Sequence, residues 1–313
     1  MNSKAPDPCR NGYNCVVCIK QVPDTKKVTG QAMRADGTIN RAALPAIFNP
    51  EDRNALEAAL RVRDEHGGTV TVVTMGLPAA CAILREALEC GADKAYLVTD
   101  RRAAASDTLA TSYILSCAVK ALKPDLVFCG RQAIDGDTAQ VGPQIAEKLE
   151  CALVTYLEAL ELDGDHAIST RNFGSGTEKL RTKLPALFTV TERFGELRPY
   201  VARRVMKFKK ARSPMEVANE VKAAMPADTA PEALAEEAKK RCAELEAAGL
   251  LIGQWSLDDI GCDLQRCGRV GSPTIVHKVL SVVLAGGDYK EYGESEEEVN
   301  RLIGSLIQDH TIG

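Results

Sequence analysis

Aromatic residues make up only 4% of the 313-residue chain, and it has a single tryptophan, so a groove lined by stacked rings is not expected. Histidine is equally sparse. His66, His166, His277 and His310 stand alone, without the spacing that gathers imidazoles round a metal. No window approaches the roughly 20 uninterrupted apolar residues that a bilayer span requires. No cationic excess exists either. Lys and Arg number 39 against 43 acidic residues, and a net charge of −4 argues against a nucleic-acid surface. Met1 to Asn14 lacks the apolar stretch of a secretory leader, so a cytoplasmic chain is expected. Several enzyme signatures are missing as well: a Gly-x4-Gly-Lys-Ser/Thr loop, a Gly-x-Gly-x-x-Gly turn after the first strand, and a Gly-x-Ser-x-Gly elbow. A phosphate loop of the adenylating kind would need Ser-Gly-Gly-x-Asp-Ser after strand one, where this chain has Lys20-Gln-Val-Pro-Asp24. No nucleophile–base pair is legible.

Cysteine, by contrast, is plentiful. The eleven are scattered and odd in number, which describes reduced thiols better than a disulfide framework. Cys15 and Cys18 have a metal-like spacing but fall on a predicted strand, where positions i and i+3 face opposite sides. Core packing is therefore expected for both. Cys262 and Cys267 lie in loop sequence and supply half a metal site at most, with Cys9 as a remote third ligand.

The first half alternates strand and helix signals. Asn14–Ile19, Thr69–Thr74, Ala95–Val98 and Asp125–Cys129 are short β-rich runs, the last apolar enough to be covered on both faces. Helices are predicted from Asn49-Pro50 to Gly67, from Pro78 to Cys90, from an N-cap at Ser106 to Leu122, and from Thr138 to Leu149. Such units imply a doubly wound, mostly parallel sheet of the flavodoxin or Rossmann kind. From Val154 to Val190 the rhythm changes to an antiparallel addition. Residues 1–212 are expected to form the α/β domain, and residues 213–313 a helical linker and C-terminal arm. That tail includes a charge-laced helix over Pro231–Ala248, a strand-like Ile275–Val283, and a last helix with a Ser295/Glu298 capping box.

Ligands of open parallel sheets bind outside the carboxyl ends of the strands. The richest of these loops runs Gly130-Arg-Gln-Ala-Ile-Asp-Gly-Asp-Thr-Ala-Gln-Val-Gly-Pro143 into a helix. Exposed amides at that helix start suit an anion, and Arg131 is a possible counter-charge. The plainer alternative is a loop whose Asp and Thr merely cap a helix, although it has more polar groups than one cap needs. Asp135 and Asp137 would repel a phosphate unless they are engaged elsewhere.

At these residues the chain resembles the β subunit of electron-transfer flavoproteins. The match runs through Cys15-Val-Val-Cys-Ile-Lys-Gln-Val22, Phe48-Asn-Pro-Glu-Asp-Arg-Asn-Ala-Leu-Glu-Ala-Ala-Leu60, Val72-Val-Thr-Met-Gly76, Leu84-Arg-Glu-Ala-Leu88 with Gly91-Ala-Asp-Lys-Ala95 and, most specifically, the Gly130–Pro143 loop. The resemblance implies a heterodimer with an α subunit that carries FAD, while the β subunit holds AMP or a second FAD. It assigns the nucleotide site to Cys18, Asn49, Pro50, Glu51, Asp52 and Met75, and to the loop and helix Arg131, Gln132, Asp135, Gly136, Asp137, Thr138, Ala139, Gln140, Val141, Gly142, Pro143, Gln144, Ile145 and Ala146. The small residues at Gly136, Thr138 and Ala139, with the tail motifs Trp255-Ser-Leu-Asp-Asp-Ile-Gly261 and Gly271-Ser-Pro-Thr274, resemble the two-flavin, electron-bifurcating branch. That branch implies NADH as hydride donor. One electron would leave through the α-subunit FAD to an acyl-CoA-type dehydrogenase, and the other to a low-potential ferredoxin or flavodoxin. The isoalloxazine would do the redox chemistry, so no catalytic side chain is expected. Two stretches depart from the family pattern. Phe173-Gly-Ser-Gly176 replaces an acidic turn, and Glu192–Arg204 is shorter than the usual dehydrogenase-gripping loop. In that loop Phe194 and Leu197 are candidate partner anchors, with inward packing of both as the alternative.

Overall fold

A computed structural model describes residues 12–24, 44–226, 228–274, 290–309 and 311–312. The strand expected at 275–283 lies outside the described residues, as do Cys9, His277 and His310. The architecture is α/β. Nine strands form one sheet in the order β11-β5-β4-β1-β6-β10-β7-β8-β9, beside a small two-stranded sheet.

Strand β1 (Tyr13–Cys18) lies between β4 (Gly68–Met75) and β6 (Leu126–Gly130), parallel to both. Beyond β4 comes β5 (Lys94–Val98). The chain thus winds outward from β1 to β5, then crosses back to add β6 on the other flank. That reversal makes the gap between β1 and β6 the topological switch point. Helices α1 (Pro50–His66) and α2 (Cys81–Cys90) cover one face, where Leu56, Leu60, Ile83 and Leu84 share a buried cluster with Val72, Phe128 and Phe188. Helices α3 (Thr108–Leu122) and α4 (Val141–Leu149) cover the other, where Ile114 and Ile145 share a second cluster with Val73, Val127 and Leu187. The strand alternation separates Cys15 from Cys18 as expected: the first belongs to the α1 side and the second to the α4 side.

The antiparallel addition is smaller than the sequence suggests. Strands β7 (Ala152–Asp163), β8 (His166–Asn172) and β9 (Thr177–Lys183) form a meander. However, β10 (Ala186–Val190) returns between β6 and β7 and runs parallel to each. The short strands β2 (Gln21–Pro23) and β3 (Ala46–Phe48) pair antiparallel just before α1.

Several helix ends differ from expectation. The cap of α3 is Asp107, whose carboxylate accepts the Ala110 amide, whereas the Ser106 hydroxyl donates to Ala103 O at 2.8 Å. Helix α4 starts at Val141 rather than at Thr138, because Asp137 and Ala139 have φ of 48° and 52°. Left-handed backbone cannot enter a right-handed helix. Later in the chain come α5 (Ala202–Phe208), α6 (Pro214–Ala224) and α7 (Pro231–Ala247). The complete capping box belongs to α6, through Ser213 and Glu216. In α8 (Glu296–Gln308) Ser295 accepts the Glu298 amide, but the Glu298 carboxylate takes the Gly293 amide instead of closing the box. Strand β11 (Gly253–Trp255) then joins the sheet edge beside β5, with Trp255 stacked on Tyr96 at 4.1 Å between ring centroids.

Phe128 and Phe188 are fully buried, adjacent in register, and stacked with ring centroids 5.5 Å apart. Phe128→Ala is expected to destabilise the chain by about 3–5 kcal/mol, read as a lower urea midpoint at unchanged slope.

Candidate functional site

The loops after β1 and β6 part at the switch point, and the first turn of α1 is bonded to both. Asp52, only 7% exposed, accepts the Lys20 amide on Oδ2 at 2.8 Å and the Gly130 amide on Oδ1 at 3.0 Å. One carboxylate therefore bridges the ends of two parallel strands. Gly130 has no alternative, since a Cβ there would lie 2.4 Å from Asp52 Oδ1. Glu51 accepts the Gln132 amide at 2.8 Å and the Arg131 guanidinium at 2.7 Å. Asn49 is the residue before the helix, yet its side chain does not cap it. Its amide nitrogen donates to Gln132 O at 2.9 Å, and its Oδ1 accepts the Ile134 amide at 3.2 Å. Three side chains from one helical turn thus set the course of residues 130–134.

Burial pushes the Asp52 carboxyl up to about 7, with neighbouring Glu51 adding to the rise. The hydrogen bonds from Asn49 and from the Lys20 and Gly130 amides oppose that rise without cancelling it.

Past Ile134 the loop presents its backbone. The Asp137 amide closes a turn on Ala133 O at 2.9 Å. At Gly136 a Cβ would meet nothing within 4 Å, so this point is open. The two acids that threatened to repel an anion are engaged. Lys20 Nζ reaches both Asp135 oxygens at 2.7 Å, and Gln132 Nε2 donates to Asp137 Oδ1 at 3.2 Å. No side chain caps α4. Gln140 and Gln144 instead accept the Thr108 and Ser112 hydroxyls of α3, each at 2.9 Å. The amides that open α4 therefore have no side-chain acceptor, and the helix dipole makes that end an anion site. Gly142 lets the helix lie against β10: a Cβ there would come within 2.9 Å of Thr189 Cγ2.

Of the residues named from the sequence, Cys18, Asn49, Pro50, Glu51, Asp52, Gln132 and Asp135–Gly142 are gathered round the ends of β1 and β6. Met75 ends β4, one strand away. Ile145 and Ala146 point into the core, so their side chains are unavailable to a ligand. Arg131 is held by Glu51, with its guanidinium 5.9 Å from the Tyr156 ring centroid, and so does not serve as a counter-charge at α4. The two candidate anchors divide. Phe194 packs on the core under the Arg61 guanidinium, whereas Leu197 is exposed. The loop that carries them is fastened to α1 by Arg198–Glu57 at 2.8 Å and by Arg61 Nη2 donating to Glu196 O at 2.7 Å.

Sequence reasoning missed two contributors. Lys20 was read only as part of a loop, and nothing local pairs it with Asp135. Tyr156 sits in a β7 irregularity with φ of 57°, which aims it towards Arg131. With Glu51, Arg131, Glu158 and Phe173, Tyr156 lines a cavity of about 400 Å³ beside the switch point. No periodic signal marks such a bulge.

The sequence profile described as "Electron transfer flavoprotein domain" matches residues 36–223. The chain is 38% identical over 299 residues to "Electron transfer flavoprotein subunit beta" of Clostridium acetobutylicum, covering 96% of this chain and 100% of that one. It is 38% identical over 300 residues to "Caffeyl-CoA reductase-Etf complex subunit CarD" of Acetobacterium woodii, covering 95% and 99% respectively. It is 41% identical over 275 residues to "Protein FixA" of Azorhizobium caulinodans, covering 85% and 83%.

The raised Asp52 carboxyl has a pH signature. Between the unfolded value near 4 and the folded value near 7, the folded chain holds a proton that the unfolded chain has lost, so this group's contribution to stability falls as pH rises. Urea denaturation at pH 5 and pH 7.5 is expected to show that loss in the parent and its absence in Asp52→Asn. The difference should be about 2–4 kcal/mol. Equal pH slopes in the two proteins would count against a buried, proton-holding Asp52.

Proposed function

The chain belongs to the electron transfer flavoprotein family, and from that premise we propose that it is the β-type subunit of a heterodimer, holding FAD where the β6 loop enters α4. The observation that carries this reading is the uncapped start of α4, with a loop before it whose acids are already engaged. The backbone amides at Val141 and Gly142 and the Thr138 hydroxyl would hold the pyrophosphate. Gly136, open on all sides, leaves room for the rest of a dinucleotide. The residues fit the group: the amide donors are there, Asp135 is paired with Lys20, and Asp137 is turned to the Gln132 amide.

When bound, FAD supplies hydride acceptance and electron transfer, which no protein side chain here can provide. This chain's own part is placement. Asp52 and Glu51 hold the β1 and β6 ends at fixed separation, Lys20 screens Asp135 from the phosphates, and Gly142 seats α4 on the sheet. NADH is the proposed donor, and the cytoplasm, where NADH is available, is the proposed setting. The proposed acceptors are a ferredoxin or flavodoxin and, through the α-subunit FAD, an acyl-CoA-type dehydrogenase. Relatives named for caffeyl-CoA and acryloyl-CoA reductase complexes support an acyl-CoA-linked acceptor. The described residues include no helix long and apolar enough to cross a membrane.

Co-purification of the heterodimer followed by denaturation and nucleotide counting is expected to yield two FAD per complex. One FAD with one AMP would overturn the two-flavin reading in favour of a structural adenylate in this chain. Lys20→Gln, which takes a cation away from Asp135 near the phosphates, is expected to weaken nucleotide retention about tenfold, or about 1.4 kcal/mol. Adding Asp135→Asn should restore it to within about threefold. Full retention in Lys20→Gln alone would remove the screening role.

A further inference from the structure

The chain has eleven cysteines, and electron transfer through a flavin uses none of them. Several of those described are buried in the core, among them Cys15, Cys81 and Cys90, while Cys18 and Cys129 lie together, both nearly or fully covered. Cys15, for example, is sealed in β1, and burial with Asp125 nearby pushes its thiol up to about 12. One place on the outer side of α3 differs. Tyr113 and Cys117 stand one helical turn apart there, and residues 257–274 fold back over them from the end of β11. The Asp263 amide donates to the Tyr113 hydroxyl at 2.9 Å, the Arg266 guanidinium lies 3.9 Å from the Tyr113 ring centroid, and Thr274 Oγ1 donates to Asp107 Oδ2 at 2.6 Å. This fold-back sets Cys262 beside the half-buried Cys117 in the same packed cluster, with Cys267 next to Cys262. Cys267 in turn donates to Asp263 O at 3.3 Å.

These sulfurs are not a metal centre, since no group of three or more potential ligands among the described residues could hold an ion. They are, however, chemically unequal. The Cys262 thiol and Tyr113 hydroxyl donate towards Cys117, and Arg266 and Lys120 add positive charge, which together bring Cys117 down to about 6. Cys262, the donor in that contact, is pushed well up. A half-buried thiol lowered by two neighbouring cations, with a second thiol beside it, is the arrangement of an attacking and a resolving cysteine. Tyr113 and Arg266 also line a cavity of about 370 Å³ with Leu109, Gln265 and a second cation, Lys148, so the cysteines stand behind its wall and not in it. Its charge suits a small anionic molecule.

We propose that Cys117 and Cys262 are a thiol–disulfide exchange pair, with a carboxylate-bearing low-molecular-weight disulfide as the oxidant. The Cys117 thiolate bonds to one sulfur of that disulfide, whose S–S bond breaks and releases one thiolate. Cys262 loses its proton to solvent, attacks the Cys117 sulfur, and expels the second thiolate. Two electrons pass from the chain to the oxidant, which leaves as two thiols. The new bond fastens residues 257–274 to α3.

The probe is glutathione disulfide, applied to the reduced full chain over a range of disulfide-to-thiol ratios and followed by alkylation and peptide mapping. The expected result is a Cys117–Cys262 cross-link in the parent, a stable glutathione adduct on Cys117 in Cys262→Ser, and no adduct at this site in Cys117→Ser. On the unmodified chain, iodoacetamide at pH 7 should label Cys117 at least tenfold faster than Cys15 or Cys81. In Arg266→Gln that rate should fall severalfold. A persistent Cys117 adduct in the parent, a cross-link to Cys267, or labelling of Cys117 no faster than of the buried thiols would each overturn the proposal.

Discussion

A buried carboxylate that ties two strand ends to one helix is the constraint on which the site depends. Asp52 gives up water to accept amides from Lys20 and Gly130, and burial costs it enough to raise its proton affinity. In return, α1 is held where β1 and β6 diverge. Glu51 and Asn49, on the same turn, then steer residues 131–134. The course of that segment decides where the loop bends, and the bend decides that α4 starts late and uncapped. A loosened first turn of α1 would therefore be felt at α4, in another element of the chain. The same logic explains Gly130, whose missing side chain is the space that the Asp52 carboxylate and backbone occupy.

The acids of this region are engaged locally. Lys20 pairs with Asp135 and Arg131 with Glu51, while Asp137 accepts from the neutral Gln132 amide. Two of the three charges are thus balanced in place, and the partial charge of the α4 dipole is the attraction a bound anion would meet, with the Asp137 charge held to one side. Arg131, the residue whose charge looked most useful in the sequence, is spent within the scaffold.

Features encoded by neighbours along the chain were legible, and those encoded by topology were not. Strands such as Leu126–Gly130 and the helix opening at Pro50 follow from periodicity and from proline at a helix start. The alternation that separates Cys15 from Cys18 follows from strand geometry. The loop 130–143 was recognisable because its composition exceeds the needs of a cap. By contrast, the apolar run of β10 marks a strand covered on both faces but not its insertion between β6 and β7. The late start of α4 depends on Asp137 and Ala139 taking a backbone conformation that glycine would have announced. Asn49 looked like a cap because capping is the local option, but long-range partners in the β6 loop outbid the helix for its side chain. The meeting of Cys117 with Cys262 is of the same kind, since only the fold-back past β11 brings them together.

The position of Trp255 has a practical consequence. It is the only tryptophan, and it stands on the last strand to join the sheet, stacked on Tyr96 of β5 rather than inside either core layer. Intrinsic fluorescence excited at the indole will therefore report attachment of the β11 edge to β5. The chain thus comes with its own optical probe for release of the segment that follows its helical middle, without any label being introduced.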